Sequence, residues 1–230
     1  MYLLEILKAL ILDFHESILD TGTPRLLQIE TVPHKTTVLI GVRRSGKSTY
    51  LAQRMQNLLD QGVPKSSILY LNFFDDRLHG LTAENIHLVM DAYFAVAPLV
   101  IQEAVFYCFF DEIQIVAGWE RFIDRLMRTE PCEIVITGSS ARMLSREIAS
   151  EMRGRSLSWE VFPFSFAELL KAKGLPYVLP ASNKTLRQIQ NAYEAYWQNG
   201  GFPEVIAVTE SLMVHIHQEY FQAILFRDLV

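Results

Sequence analysis

Basic residues are too few in this sequence to attract a polyanion: 21 Lys and Arg stand against 26 Asp and Glu, for a formal charge of −5. Nucleic-acid binding is therefore not supported by net charge and would need a local patch. Cysteine is scarce as well. Cys108 and Cys132 each sit inside an apolar run without the Cys or His neighbours that a metal site requires. Two reduced core thiols suit a cytoplasmic protein. Long apolar runs are also missing. The best candidate, 92–110, is broken by Pro98, Gln102 and Glu103, well short of the roughly 18 uncharged residues of a membrane span. The apolar N-terminus lacks a basic start and a small-residue cleavage site, so export is not expected. Its Leu3, Leu4, Leu7, Leu10 and Ile11 recur at helical spacing instead, which predicts an amphipathic helix.

What is present is a core. Half of the 230 residues are apolar and 11% are aromatic, enough for one generous domain or a standard domain with a smaller attachment. From Thr36 onward, short β-branched or aromatic runs alternate with longer amphipathic segments, the rhythm of an α/β protein with helices wound over a parallel sheet. Strands are expected at 36–41, 67–73, 104–111, 132–138 and 156–162, and helices at 46–61, 82–97, 119–129 and 141–151. In the third helix Trp119, Phe122, Ile123, Leu126 and Met127 form one stripe facing the sheet. Strand signals stop near residue 175. Helical patterns follow, carrying Leu186, Ile189, Tyr193 and Tyr196, then Leu212, Met213 and Ile216, with a break at Gly200, Gly201 and Pro203. The expected division is an α/β core with an N-terminal helix over 1–175 and a small helical unit over 176–230, truncated at its C-terminal end.

Gly41-Val-Arg43-Arg44-Ser45-Gly46-Lys47-Ser48 fits glycine, four residues, then Gly-Lys-Ser, between an apolar strand and an amphipathic helix. The glycines let backbone amides turn inward, and the following helix presents unpaired N–H groups to phosphates. Lys47 is expected to reach the β and γ phosphates of ATP, Ser48 to ligate magnesium, and Thr49 to help hold the nucleotide. Arg43 and Arg44 leave three readings open: nucleotide, a neighbouring subunit, or solvent.

An acidic pair should complete such a site at the end of a buried strand. Val105–Phe110 is followed at once by Asp111 and Glu112, a placement that fits a Walker B element, with Asp111 holding the metal and Glu112 polarising water as a general base. A glutamate there favours hydrolysis over mere binding. The strand Ile134–Thr137 ends in hydroxyl residues, so Thr137 or Ser139 is a candidate to orient water or sense the γ phosphate; capping the helix at 141–151 is the competing reading. Arg153 and Arg155, just before the fifth strand, are candidates for neutralising transition-state charge, with solvent exposure as the alternative. His215 and His217, two apart on a helix, do not share a side, and no metal beyond magnesium is expected. Tyr193, Tyr196 and Trp197 are read as core packing, not base stacking.

With these residues in place, the chain resembles the AAA+ class of ATPases, and more closely a prokaryotic group of ATP-binding proteins. The matching strings are Gly41–Thr49, Asp111-Glu-Ile-Gln114 with Trp119 beyond it, Thr137–Ala141, Met152–Arg155, Phe162–Phe166, Gly200–Glu204 and Phe226–Leu229. Tyr50 and Met152 stand where the group commonly has leucine. The resemblance implies a P-loop NTPase three-layer fold with five parallel strands, a helical lid, and a further C-terminal domain. It also implies ATP and magnesium as cofactors and a homo-oligomer with an arginine supplied in trans. Two other functions compete with ATP hydrolysis: a nucleotide-dependent switch with negligible turnover, and a small-molecule kinase, against which Glu112 argues.

Overall fold

The computed structural model describes residues 2–102, 105–139, 152, 154–176 and 180–223. The helix expected at 141–151, Arg153 and the Phe226–Leu229 string lie outside them. Five strands form one parallel sheet: β1 (Thr36–Gly41), β2 (Ile68–Asn72), β3 (Phe106–Asp111), β4 (Cys132–Ser139) and β5 (Ser156–Glu160), in the order β2-β3-β4-β1-β5. Each lies within two residues of its expected position. The described residues also form α1 (Tyr2–Glu16), α2 (Lys47–Asp60), α3 (Leu88–Val96), α4 (Trp119–Thr129), α5 (Phe166–Ala172), α6 (Asn183–Asn199) and α7 (Glu210–Ala223).

Every residue of β1 is buried, because helices cover both faces of the sheet and each strand can be apolar on successive positions. The two-residue period then sorts the side chains. Val38, Ile40, Leu69, Leu71, Cys108, Phe110, Ile134 and Ile136 face a cluster with α1, α3 and α4. Leu39, Ile68, Phe109 and Val135 face the other way, against α2 and Ile29. The result is a three-layer α/β fold. In α1, Leu7, Ile11 and Phe14 are buried, and in α4 the buried stripe is Trp119, Phe122, Ile123 and Leu126. Side chains of this size contribute about 1.5–3 kcal/mol each when fully buried.

Two expectations are corrected. The helix expected from residue 82 begins at Leu88, because the Asn85 side chain accepts from the Thr82 amide at 2.7 Å and donates to the Gly80 carbonyl at 3.0 Å, a local turn that competes with helix. The aromatic stripe on α6 also splits. Tyr196 packs near Phe166 and donates to the Phe164 carbonyl, whereas Trp197 is 80% exposed. Adjacent helical positions differ by about 100°, so one residue's step takes Trp197 out of the contact.

Ser165 and Glu168 start α5 with a reciprocal capping box. Leu169 and Leu170 of α5 and Ala192 of α6 then share a third, smaller apolar cluster with Ile206. This cluster crosses residue 175. No helix among the described residues is long and apolar enough to cross a membrane.

Candidate phosphate-binding site

Parallel strands end at one edge, so the carboxyl edge of β1, β4 and β3 gathers residues that are far apart in sequence. Leu39 pairs with Thr137, and Phe110 with Ile136, which sets Thr137 laterally between β1 and the end of β3. Neighbouring strands are about 4.8 Å apart, so Gly41, Thr137 and Asp111 share one small area.

The loop leaving β1 turns tightly into α2. Arg44 and Gly46 have positive φ, 61° and 97°, and such alternation aims successive amides into one concavity. At Gly41 a Cβ would lie 2.4 Å from the Val161 carbonyl oxygen, so the close passage of the backbone just after β5 requires glycine. Gly46 caps α2 without a side-chain hydrogen bond. The first-turn amides of α2 are thereby left for an anion. Ser45 is buried, and its hydroxyl has no hydrogen-bond partner among the described residues. The Lys47 ammonium is buried, donating to the Gly41 and Val42 carbonyls at 3.0 and 3.1 Å and lying 3.8 Å from Glu112 Oε1. Ser48 is exposed and Thr49 half-buried.

Asp111 closes β3 almost fully buried. Its carboxylate accepts from the Thr137 hydroxyl and, at 3.5 Å, from Tyr70. Burial pushes the Tyr70 hydroxyl well above its ordinary value, and the Asp111 charge adds to that, so Tyr70 remains a protonated donor. Among the described residues no basic side chain pairs with Asp111. A buried carboxylate met only by hydroxyls retains hard oxygen lone pairs, the donor type that magnesium takes. Glu112 has φ 57°, a left-handed conformation costing roughly 1–2 kcal/mol. Its amide donates to Thr137 Oγ1 at 2.9 Å, and its carboxylate accepts from Gln114. One hydroxyl thus links both acids.

Of the two loop arginines, Arg43 is half-buried. Arg44 pairs with Glu204 and lies over the Tyr220 ring at 5.2 Å, so it meets the segment between α6 and α7. Arg155 is not brought to the loop. Ser156 pairs with Thr36 and the Arg155 carbonyl accepts from the Thr36 amide at 2.8 Å, which places Arg155 at the amino edge, a strand length of roughly 17 Å from the loop at about 3.3 Å per residue. There its guanidinium bonds Asp124 at 2.6 Å. Arg153 and the Ser139 side chain lie outside what the structure describes.

Sequence reasoning missed Arg25, Gln114, Glu168 and Glu204. Gln114 and Glu204 stand inside motif strings, but their partners, Glu112 and Arg44, are not part of those patterns' logic. A cavity of about 290 Å³ beside the loop is lined by Gly22, Thr23, Gly46, Thr49, Phe164 and Pro203, among others. No local signal marks its wall, since the pieces come from four parts of the chain.

A three-layer α/β fold with a Gly-Lys-Ser loop between β1 and α2, and an acid at the end of β3, defines a P-loop nucleotide-binding, ATPase-like domain. Within that class, the chain belongs to the AAA domain family, whose model matches residues 33–170. An uncharacterised protein of Methanocaldococcus jannaschii is 32% identical over 207 residues, 90% of this chain and 44% of that protein. An uncharacterised protein of Haemophilus influenzae is 34% identical over 193 residues, 84% of this chain and 45% of that protein. The chain thus spans less than half the length of these curated relatives. Among solved structures, C. elegans PCH-2 is 13% identical with a TM-score of 0.46, over 97% of this chain and 67% of that one. AMPPCP-bound DnaA from Aquifex aeolicus is 13% identical with a TM-score of 0.41, over 96% of this chain and 67% of that one. At these scores the likeness decides nothing about the site.

Proposed function

We propose that this domain binds ATP with magnesium at Gly41–Thr49 and hydrolyses it, and that turnover moves residues 176–230 as a lid on a core of 1–175. The observation that carries the reading is the Glu112 carboxylate 3.8 Å from the Lys47 ammonium, beside a hydroxyl shared with Asp111. In this reading Lys47 leaves the loop carbonyls for the β and γ phosphates, and the amides of Arg43, Arg44, Ser45, Gly46 and Lys47 take phosphate oxygens. Ser48 and Asp111 would hold the magnesium ion, which supplies positive charge against the phosphates as they react. Glu112 removes a proton from the attacking water. The water oxygen bonds the γ phosphorus while the bond to the β–γ bridging oxygen breaks, so ADP leaves with that electron pair and inorganic phosphate forms. Thr137 orients Glu112 through its amide. The 290 Å³ cavity flanking Gly46 and Thr49 is assigned to the nucleoside. Arg44, through Glu204, links loop occupancy to the helices beyond it. Arg155, held at the amino edge, reaches the phosphates only from a neighbouring copy, with Arg153 as the other candidate, and the active form is a homo-oligomer in a cytoplasmic setting.

Single-turnover hydrolysis by the intact protein and by Glu112→Gln tests the reading. Loss of a general base lowers the rate by about a hundred- to ten-thousandfold, with ATP binding retained. Equal rates would replace the hydrolase by a nucleotide-dependent switch.

A further inference from the structure

Arg25 lies outside the stretch matched by the family model and outside every motif, yet among the described residues it is one of the most buried cations, with 5% of its side chain exposed. A guanidinium so enclosed is stable only when its donors are paired. Its three nitrogens reach three parts of the fold. Nε donates to Glu168 Oε1 at 2.9 Å, Nη1 to the Ser45 carbonyl at 2.9 Å, and Nη2 to the Phe162 carbonyl, while the plane sits 5.0 Å from the Phe164 ring centroid. The segment carrying it is pinned by α2, the helix that leaves the phosphate loop. Gln53 accepts from the Arg25 amide at 3.1 Å and donates to the Thr21 and Thr23 carbonyls, and Tyr50 donates to the Leu27 carbonyl at 2.9 Å.

The Ser45 carbonyl is the informative contact. A trans peptide is planar, so its C=O and the next N–H point in opposite directions. Holding the Ser45 oxygen outward therefore aims the Gly46 N–H inward, toward the concavity of the loop. Gly46 has φ 97°, and a Cβ there would meet Arg25 Nη1 at 3.1 Å, ahead of Pro203 Cγ at 3.9 Å, so the guanidinium is the nearest group on that side. The other end of the contact is equally well held. Glu168 also accepts from the Leu26 and Ser165 amides. Burial pushes its carboxyl up, but these amides and Arg25 outweigh burial and hold it below its ordinary value.

We propose that Arg25 is a positioning residue for the phosphate loop: it orients the Ser45–Gly46 peptide for phosphate binding and ties that orientation, through Glu168, to the start of α5. The proposal rests on the nucleotide-binding reading above. Arg25 touches no phosphate in it. Because oriented amides hold bound nucleotide and transition state alike, Arg25 governs affinity more than the saturating rate.

The experiment measures ATP and ADP affinity and the saturating single-turnover rate for the intact chain, Arg25→Lys and Glu168→Gln, with amide resonances of Ser45, Gly46 and Lys47 followed without nucleotide. Lysine keeps the charge but cannot reach three acceptors at once, and glutamine cannot accept at both of its ends. The expected result is about tenfold weaker ATP and ADP binding for Arg25→Lys and a smaller loss for Glu168→Gln. Saturating rates should stay within about threefold, with displaced resonances at Gly46. If the intact protein binds neither nucleotide, the reading and the proposal fall together. If it binds and both variants match it within about twofold, or if the variants lose rate and keep affinity, the proposal alone is overturned. Should Arg25→Lys fail to fold, Glu168→Gln decides on the same criteria.

Discussion

The two edges of the sheet are made by the same strands and differ in almost every other respect. At the carboxyl edge, β1, β3 and β4 end in the loop, the acid pair and the Thr137 hydroxyl. Among the described residues, two of the three non-glycine residues with positive φ, Arg44 and Glu112, stand there, while His34 lies in the turn before β1. At the amino edge the polar groups are matched: Arg155 meets Asp124, and His15 meets the Ile68 carbonyl that opens β2. One edge retains an orphan hydroxyl and uncapped helix amides, whereas Arg155 and His15 at the other are paired. The lesson is that parallel topology collects potential chemistry on one side, and that unsatisfied groups, more than charge, mark which side it is.

The largest effect expected of the amino edge would come from Arg155→Ala. If Arg155 serves the loop of a neighbouring copy, turnover falls by about a thousandfold with ATP binding intact. The Asp124 pair is partly exposed, so stability changes by less than about 1 kcal/mol. Mixing this variant with Lys47→Ala copies should recover activity in shared sites. An unchanged rate would leave the amino edge purely structural.

Thr137→Val tests the carboxyl edge by removing the hydroxyl that joins Asp111 to the Glu112 amide. Both partners are left short of a hydrogen bond, so urea unfolding should show a loss of about 1–3 kcal/mol, accompanied by slower hydrolysis. A variant with full activity would mean that Glu112 is oriented by Gln114 instead.

The smallest effect is the pH response of His15. Burial lowers its pKa below the ordinary 6.5; the Ile68 carbonyl opposes this and Lys65 adds to it. A base whose folded pKa is depressed gives its stabilisation fully above 6.5 and loses it as pH falls from there toward the folded value. The urea midpoint should drop over that window, and His15→Gln should flatten the slope. A midpoint independent of pH would show that the amino edge is indifferent to this contact.

Most of the element pattern was legible because burial repeats along the chain: five successive apolar or β-branched residues in β1, a 3.6-residue stripe in α4. The loop and acid pair were legible because their chemistry is written in adjacent residues. Asn85 shortened α3 through a side-chain turn that periodicity does not register. Trp197 looked like core because a helical stripe has blurred borders, and a single position decided its exposure.

By itself, then, the sequence determined the three-layer α/β class, the Gly41–Thr49 loop and its acidic partners Asp111 and Glu112, since each depends on neighbours within a turn or a strand. Tertiary structure alone decided the strand order, the distance of Arg155 from the loop, and the partner of Arg44. Arg44 meets Glu204 across 160 residues, and Arg25 meets Glu168 across 143. Such pairs form only after loop-closure entropy has been overcome by packing elsewhere, so no local pattern announces them.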